Sequence, residues 1–200
     1  CNPTKEFHGE AGNLFTAWEH GDLELELEFL LTPGSNSGVY LQGRYEVQLY
    51  DSWGVTAPGF KDCGGIYARW DPARGKGTEA YDGHPPAANA SRAPGLWQRL
   101  RVVFEAPRFD ARGAKVRNAR FVRVELNGFT VQENVELSGP TRGGVGDDER
   151  PLGPLMIQGD HGPVALRRIA VKRFGPGEVS VGDLRYRLYA GDFKAVGDYA

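Results

Sequence analysis

A histidine beside an aspartate is the clearest candidate for acid–base chemistry in this sequence. His161 follows Asp160 in the turn Gln158-Gly159-Asp160-His161-Gly162, which separates two β-rich runs. The imidazole of histidine gains and loses its proton between about pH 5 and 8, and histidine is the side chain that most often transfers protons in catalysis. We therefore predict that His161 is catalytic. The alternative is a turn histidine that hydrogen-bonds to the backbone, and the sequence leaves both interpretations open.

A second candidate pair lies on one predicted strand. Glu46 and Gln48 alternate with Val47 and Leu49 in the run from residue 45 to 52. Because side chains on a strand alternate between faces, Glu46 and Gln48 share one face, about 6.5–7 Å apart. Glu46 can act as an acid, a base or a metal ligand, and Gln48 can hydrogen-bond to the hydroxyl groups of a ligand. The alternative is a polar pair that stabilises the sheet through cross-strand contacts.

Residues 22–31 show the strictest alternation in the chain, with leucine and glutamate taking turns. The leucines are predicted to face a core and the glutamates to face the other side of a strand. Like charges on one face repel unless cations from neighbouring strands lie between them, and three arginines can supply those cations: Arg99, Arg101 and Arg123. We assign this structural role to Glu24 and Glu26. Glu28 lies nearer the following loop and is also a candidate catalytic carboxylate.

Four further residues are candidates for contact with a ligand. Tyr40 and Arg44 flank a predicted turn at Gly43. Trp53 and Trp70 lie beside loops rich in glycine and proline, where an aromatic ring can serve as a stacking platform. No metal-binding spacing is present in the sequence. A divalent cation such as Ca²⁺ remains compatible with ligands that are distant in sequence, so the metal stays unknown and no other cofactor is implied.

The elements that must position these residues are predicted to be strands. Further β-rich runs cover residues 38–42, 96–105, 119–126, 129–137, 155–158 and 164–174. Asn127-Gly128 between two of them is a strong hairpin signal, because both turn positions need positive φ. The stretch from residue 68 to 94 is rich in Gly, Pro, Ala and Asn and is predicted to be a long loop. Strands at this spacing predict an all-β sandwich or jelly roll.

Composition narrows the class of protein. The chain has 200 residues, a net charge of -2 and a pI of about 6.1. This balance does not favour a nucleic-acid partner, and no apolar run is long enough for a membrane span. The two cysteines, Cys1 and Cys63, leave alternatives open. Cys1 is compatible with a disulfide to Cys63, with the lipidated first residue of a mature bacterial lipoprotein, or with a cropped chain start.

Several short motifs together resemble one known family, the 3-keto-disaccharide hydrolase domain. They occur in the family's order and extend over roughly residues 14 to 174, in these segments: DLELELEF at 22–29, PGSNSGVYLQG at 33–43, YEVQLYDS at 45–52, GIY at 65–67, PPAANA at 85–90, PGLWQ at 94–98, APRFD at 106–110 and GPLMIQGDHGPV at 153–164. The resemblance implies a concanavalin-like jelly-roll sandwich of two antiparallel sheets. We expect one domain over residues 1–176, with 177–200 as a connector or the start of a further module.

The resemblance also implies a reaction. The expected activity is cleavage of the glycosidic bond of 3-keto-glycosides or 3-keto-disaccharides, by abstraction of the C2 proton and β-elimination followed by hydration. The expected catalytic residues are His161, Glu46 and Glu28. The expected substrate-binding residues are Gln48, Tyr40, Arg44, Gln158, Asp160, Trp53 and Trp70. Because such proteins are typically bacterial and exported, we expect a secreted or periplasmic location, with Cys1 as the site of any lipid anchor.

Two other functions are compatible with the same residues. A non-catalytic, lectin-like carbohydrate-binding module would use the same fold, since jelly rolls serve as lectins and as enzymes. A conventional retaining glycosidase would need two carboxyl groups about 5–5.5 Å apart, which Glu26 and Glu28 could offer because they share a strand face. Turnover of a 3-keto-glycoside separates the expected enzyme from both alternatives.

Overall fold

The computed structural model describes residues 12–174 and the strand at 181–184. No α-helix occurs in these residues, and a 3-10 turn lies at Pro72–Arg74. The strands are β1 (Leu14–His20), β2 (Asp22–Leu31), β3 (Asn36–Leu41), β4 (Tyr45–Tyr50), β5 (Arg69–Trp70), β6 (Ala80–Tyr81), β7 (Gln98–Glu105), β8 (Arg108–Phe109), β9 (Lys115–Arg117), β10 (Ala119–Leu126), β11 (Phe129–Leu137), β12 (Gly153–Ile157), β13 (Val164–Phe174) and β14 (Val181–Leu184).

Two antiparallel sheets form the sandwich. The smaller has the strand order β1-β12-β3-β4, and the larger has the order β11-β10-β7-β2-β13-β14. Strands β5 and β6 pair as a short ribbon, as do β8 and β9. The prediction of an all-β sandwich of two antiparallel sheets is confirmed.

The core lies between the two sheets and follows the alternation of the sequence. Along β2 every second residue from Leu23 to Leu31 is buried. From the smaller sheet, Val39 and Leu41 of β3 and Val47 and Leu49 of β4 belong to the same core. Each such side chain contributes about 1.5–3 kcal/mol through removal of apolar surface from water. The same alternation turns the intervening residues of β3 and β4 to the outer face of the smaller sheet.

The outer face of the larger sheet carries the glutamates of β2. Arg99 lies 2.6 Å from Glu26, and Arg101 lies 3.8 Å from Glu24. The predicted structural role of these two glutamates is therefore confirmed. Arg123 pairs with Glu125 and Glu133 instead, because β10 lies on the far side of β7 from β2.

The structure differs from the sequence prediction in several places, one of which is the β8–β9 ribbon, which was not predicted. Residues 68–94 are not strandless, since β5 and β6 pair there over two residues each, which is too short to give a periodic pattern. Strand β1 was not predicted, and its pairing with β12 is irregular between Phe15 and Glu19, which breaks the alternation of the sequence. Strand β14 adds an edge to the larger sheet within the region expected to be a connector. The rest of that region lies outside the described residues.

Candidate active site

The candidate site lies on the outer face of the smaller sheet, where two strand rows meet. Tyr40 of β3 is paired with Glu46 of β4, and Gly38 is paired with Gln48. On the other side of β3, Met156 of β12 is paired with Tyr40. The connection between β11 and β12 reaches this face at residue 142, whose carbonyl accepts from the Tyr40 hydroxyl. We call the seven polar residues gathered there the Glu46 cluster: Tyr40, Glu46, Gln48, Tyr67, Gln158, Asp160 and His161.

Glu46 is buried in the middle of the cluster without a cation. Its side chain reaches over Gly38, where a Cβ would lie only 2.1 Å from Glu46 Oε1. None of the ion pairs in the described part of the chain includes Glu46. Burial raises the pKa of Glu46 from 4.5 to about 8, the interaction with the Tyr40 hydroxyl opposes this, and the negative charge of Asp160 adds to it. Glu46 is therefore mostly a neutral acid at pH 7, able to donate a proton.

Two tyrosines border this carboxyl group. The Tyr40 hydroxyl donates to the backbone carbonyl of Arg142 at 3.2 Å, and burial followed by the proximity of Glu46 raises its pKa well above the usual value. The backbone N–H of Tyr67 donates to the Glu46 carbonyl at 3.2 Å, so Tyr67 is the next residue in the same row. Its pKa is also raised, first by burial and then by Glu46. Both phenols are thus neutral hydrogen-bonding groups at pH 7.

Asp160 and His161 form a dyad at the end of β12. His161 Nδ1 lies 2.6 Å from Asp160 Oδ1, and the carboxylate is nearly buried whereas half of the imidazole is exposed. A carboxylate only accepts hydrogen bonds, so it places the proton of neutral His161 on Nδ1 and leaves Nε2 free to accept one. Asp160 also interacts electrostatically with Glu46 and Tyr40. The dyad and the neutral acid therefore belong to one site.

Two glutamines of the cluster have buried oxygens without a partner. Gln48 Nε2 donates to Asn36 at 3.2 Å. Gln158 Nε2 lies 3.3 Å from His161 Nδ1, which carries a proton in the tautomer described above and therefore does not accept from it. Gln48 Oε1 and Gln158 Oε1 are buried and have no hydrogen-bond partner among the described residues. A buried acceptor without a donor costs about 1–3 kcal/mol, so such groups are usually completed by a ligand or by water. Hydroxyl groups of a sugar are donors of the right kind.

Glu28 and Arg44 are not brought to this cluster. Glu28 lies on the outer face of the other sheet, 2.5 Å from Arg167 and 3.0 Å from Arg168. Burial acts to raise its pKa, but the two arginine hydrogen bonds outweigh it and lower the pKa. Arg44 is buried, and all three of its nitrogens already donate to Gln42 or Asp148. The structure therefore gives both residues partners that hold the fold, and Glu26 is likewise bound to Arg99.

The two tryptophans are exposed, as expected for stacking platforms. Trp53 is 62% exposed and Trp70 is 41% exposed. The guanidinium of Arg142 lies 3.9 Å from the centre of the Trp70 ring and covers one of its faces. Trp53 stands on a turn held by Asp51, whose carboxylate accepts from the backbone of Gly34 at 2.9 Å and of Trp53 at 3.3 Å.

Sequence reasoning did not single out Tyr67, Arg142 or Gly38. Tyr67 occurs in the motif Gly65-Ile66-Tyr67, which was noted only for its family resemblance. Arg142 has no local signal, because it reaches the site through a long connection between β11 and β12. Gly38 could have been suspected, since an isolated glycine inside a strand often marks a close approach by another group.

The described residues bear only in part on metals, membranes and cysteines. In residues 12–174 and 181–184, no group of three or more His, Cys, Asp or Glu is placed to hold a metal ion. The helices described in this structure include none that is long and apolar enough to cross a membrane. Burial raises the pKa of the Cys63 thiol to about 11. Cys1 lies outside the described residues, so its disulfide or lipid anchor stays a prediction.

Fold and site together define a two-sheet β-sandwich domain with a cluster of titratable and hydrogen-bonding side chains on the outer face of its smaller sheet. The chain belongs to the 3-keto-alpha-glucoside-1,2-lyase-like domain family, whose model matches residues 4–172. This family membership makes it a carbohydrate-active protein. No curated protein matches the sequence.

Solved structures share the fold. One candidate glycosyl hydrolase from Parabacteroides distasonis is similar at 24% identity with a TM-score of 0.64, over 82% of this chain and 69% of that protein. A second candidate glycosyl hydrolase from the same organism is similar at 21% identity with a TM-score of 0.54, over 82% of this chain and 83% of its own. At these identities the similarity concerns the fold.

Proposed function

We propose that this domain cleaves the glycosidic bond of 3-keto-glycosides or 3-keto-disaccharides by β-elimination followed by hydration. The observation that carries the proposal is a buried carboxyl group without an ion-pair partner among the described residues, Glu46, in the same cluster as the Asp160–His161 dyad. An elimination needs one group that takes a proton and another that gives one. Two groups whose environments keep one protonated and the other able to accept a proton are the usual mark of such a site.

The ketone at C3 makes the hydrogen at C2 acidic. In the first step a base removes that proton, and the C–H electron pair forms the C2–C3 double bond while charge moves to the C3 oxygen. In the second step the ketone re-forms, the electron pair shifts to the C1–C2 bond, and the C1–O bond breaks. The departing oxygen takes a proton from the acid. Addition of water to the resulting enone then gives the free 3-keto sugar.

The residues of the Glu46 cluster fit these roles. His161 Nε2 accepts the C2 proton, and Asp160 holds the imidazole in the tautomer that can do so. Glu46 donates the proton to the departing oxygen. Gln48 Oε1 and Gln158 Oε1 accept hydrogen bonds from sugar hydroxyls, which relieves their unpartnered state. We also propose that the domain is secreted or periplasmic, because proteins of this family are typically exported.

The decisive experiment uses a 3-keto-glucoside and the matching unoxidised glucoside, with release of the aglycone as the readout. We expect release from the keto form alone, and a loss of about 10²–10⁴-fold in His161→Gln. His84→Gln is the matched control, because His84 lies outside the cluster and its nearest charged partner is Asp82 at 3.7 Å. Equal cleavage of both glucosides, or none of either by folded protein, would reject the elimination.

A carbohydrate-binding module is the second candidate. The exposure of Trp53 and Trp70 favours it, because aromatic rings at a surface are suited to stacking on sugars. This function predicts sugar binding without turnover. His161→Gln would then leave the dissociation constant unchanged, whereas Trp53→Ala would raise it.

A further inference from the structure

The proposed elimination places negative charge on the C3 oxygen, and neither His161 nor Glu46 accounts for it. His161 is used as the base and Glu46 as the acid. Charge that develops in a transition state is stabilised by preorganised hydrogen-bond donors, and removal of one such donor typically costs about 10²–10³-fold in kcat. The inference below rests on the proposed function and concerns the group that supplies this donor.

Arg142 is fixed at the edge of the Glu46 cluster by its own backbone. Its N–H donates to the carbonyl of Ala68 at 2.9 Å, next to Tyr67 in the chain. Its carbonyl accepts from the Tyr40 hydroxyl at 3.2 Å. The two contacts bind residue 142 to the segment after Tyr67 and to a residue of the cluster itself. Gly143 allows this close approach, because a Cβ there would lie 2.8 Å from the Tyr40 oxygen.

The side chain of Arg142 is held by stacking and not by an ion pair. The guanidinium lies 3.9 Å from the Trp70 ring centre. Among the described residues its nitrogens have no carboxylate or carbonyl partner, whereas Arg44 and Arg150 both pair with Asp148. Stacking on an aromatic face fixes the plane of a guanidinium and leaves the N–H groups at its edge free to donate. An oriented guanidinium without an ion-pair partner among the described residues thus lies at the edge of the Glu46 cluster.

Tyr67 interacts electrostatically with both Arg142 and Glu46. It follows Glu46 in the same row of the sheet, and Arg142 is close enough to interact with its hydroxyl electrostatically. We propose that Arg142, supported by Trp70, binds the C3 oxygen of the sugar and stabilises the charge that this oxygen gains, with the Tyr67 hydroxyl as a second donor. The dyad and Arg142 then act on neighbouring atoms of one ring.

The alternative role for Arg142 is structural, since a cation on a tryptophan also fastens a loop. A structural role would change thermal stability without changing kcat. The variants that separate the two roles are Arg142→Gln, which removes the charge, and Arg142→Lys, which keeps it. Arg150→Gln is the matched control, because Arg150 is on the same connection and is paired with Asp148.

The test measures kcat and KM for aglycone release from a 3-keto-glucoside, with exchange of the C2 hydrogen in deuterated water as a second readout. We expect Arg142→Gln to lower kcat about 10²–10³-fold and to slow exchange, with Arg142→Lys in between. Tyr67→Phe should have a smaller effect in the same direction. If the wild type is active and Arg142→Gln has the same kcat, the inference about Arg142 is wrong but the proposed function still holds. An inactive wild type would overturn the proposed function and this inference with it.

Discussion

The outer faces of the two sheets both carry glutamates that alternate with core residues in the sequence, but the surroundings of these glutamates are opposite. On the larger sheet, Glu26 and Glu28 point towards solvent and each is held by arginine. On the smaller sheet, Glu46 is buried and has Tyr40 as its neighbour instead of a cation. The pKa of Glu28 is lowered, whereas that of Glu46 is raised to about 8.

The outer face of the larger sheet also carries a groove. A groove of about 630 Å³ lies on the larger sheet, where Glu24, Glu26 and Glu125 line it together with four cations, Arg92, Arg99, Arg101 and Lys172. Its glutamates are paired with those arginines, so few charges are left for a ligand. The smaller sheet offers a buried carboxyl group with a raised pKa and two buried oxygens without a hydrogen-bond partner among the described residues. These unpaired groups, more than the volume of a groove, are the reason why we propose the smaller sheet as the functional face.

The largest effect should come from removing the acid of the smaller sheet. Glu46→Gln keeps the shape of the side chain but cannot donate a proton to the departing oxygen. We expect aglycone release to fall about 10²–10⁴-fold. Glu26→Gln is the matched control on the larger sheet and should change the rate by less than about twofold. A Glu46→Gln protein as active as Glu26→Gln would show that the two faces do not differ in function.

The second effect tests the space that Glu46 occupies. A Cβ on Gly38 would lie 2.1 Å from Glu46 Oε1 and 2.8 Å from its Cδ. The carboxyl group must then leave its place beside Tyr40, so we expect Gly38→Ala to lower kcat by roughly 10- to 100-fold. The cost in the free energy of unfolding should be about 1–3 kcal/mol.

Gly21→Ala is the control for this substitution. The nearest atoms to a Cβ at Gly21 are 3.5 Å away, which is an ordinary van der Waals distance. Rate and urea denaturation midpoint should both stay close to those of the wild type. A Gly38→Ala protein that is destabilised but fully active would show that the position of the Glu46 carboxyl is unimportant for turnover.

The third effect concerns stability against pH. Between pH 4.5 and about 8 the unfolded chain loses the Glu46 proton while the folded chain keeps it. The free energy of unfolding therefore decreases as the pH rises through this window, by at most about 5 kcal/mol. Glu46→Gln removes this loss, so it should gain stability relative to the wild type between about pH 5 and pH 9 in urea denaturation. A constant difference would show that Glu46 is ionised in the folded protein.

His20 changes the free energy of unfolding with pH in the opposite direction to Glu46. The contribution of Glu46 must therefore be measured as the difference between the wild type and Glu46→Gln. Burial lowers the pKa of His20 from 6.5 to about 4. Its Nε2 accepts from the Gln42 backbone at 2.9 Å, and Nδ1 contacts the Gly21 carbonyl at 2.8 Å. The folded protein keeps it neutral, so stability is lost as the pH falls from 6.5 through about 4. Glu46→Gln leaves this contribution in place, and it cancels in the comparison.

Alternation in the sequence is enough to predict the sandwich and to place Glu46 and Gln48 on one strand face. It cannot tell which polar face will be covered, because Glu28 and Glu46 both alternate with core residues. Covering depends on contacts over long separations, such as the bond from the Tyr40 hydroxyl to the carbonyl of residue 142. His161 was predicted from its turn and its acidic neighbour, both of which are local. Arg142 has no local signal, so only the folded chain brings it to the site.

The smallest effect should come from substituting Glu28, which the sequence predicted as a catalytic residue and which lies on the larger sheet. Glu28 is held by Arg167 at 2.5 Å and Arg168 at 3.0 Å, and both arginines are substantially exposed. Exposed ion pairs contribute only about 0.2–1 kcal/mol, and salt screens them. Glu28→Gln should therefore lower the free energy of unfolding by no more than this amount, less so at high salt, with aglycone release unchanged. If Glu28→Gln lowered aglycone release as much as Glu46→Gln does, Glu28 would have to be catalytic. A loss of about 0.2–1 kcal/mol in stability could not explain such a decrease.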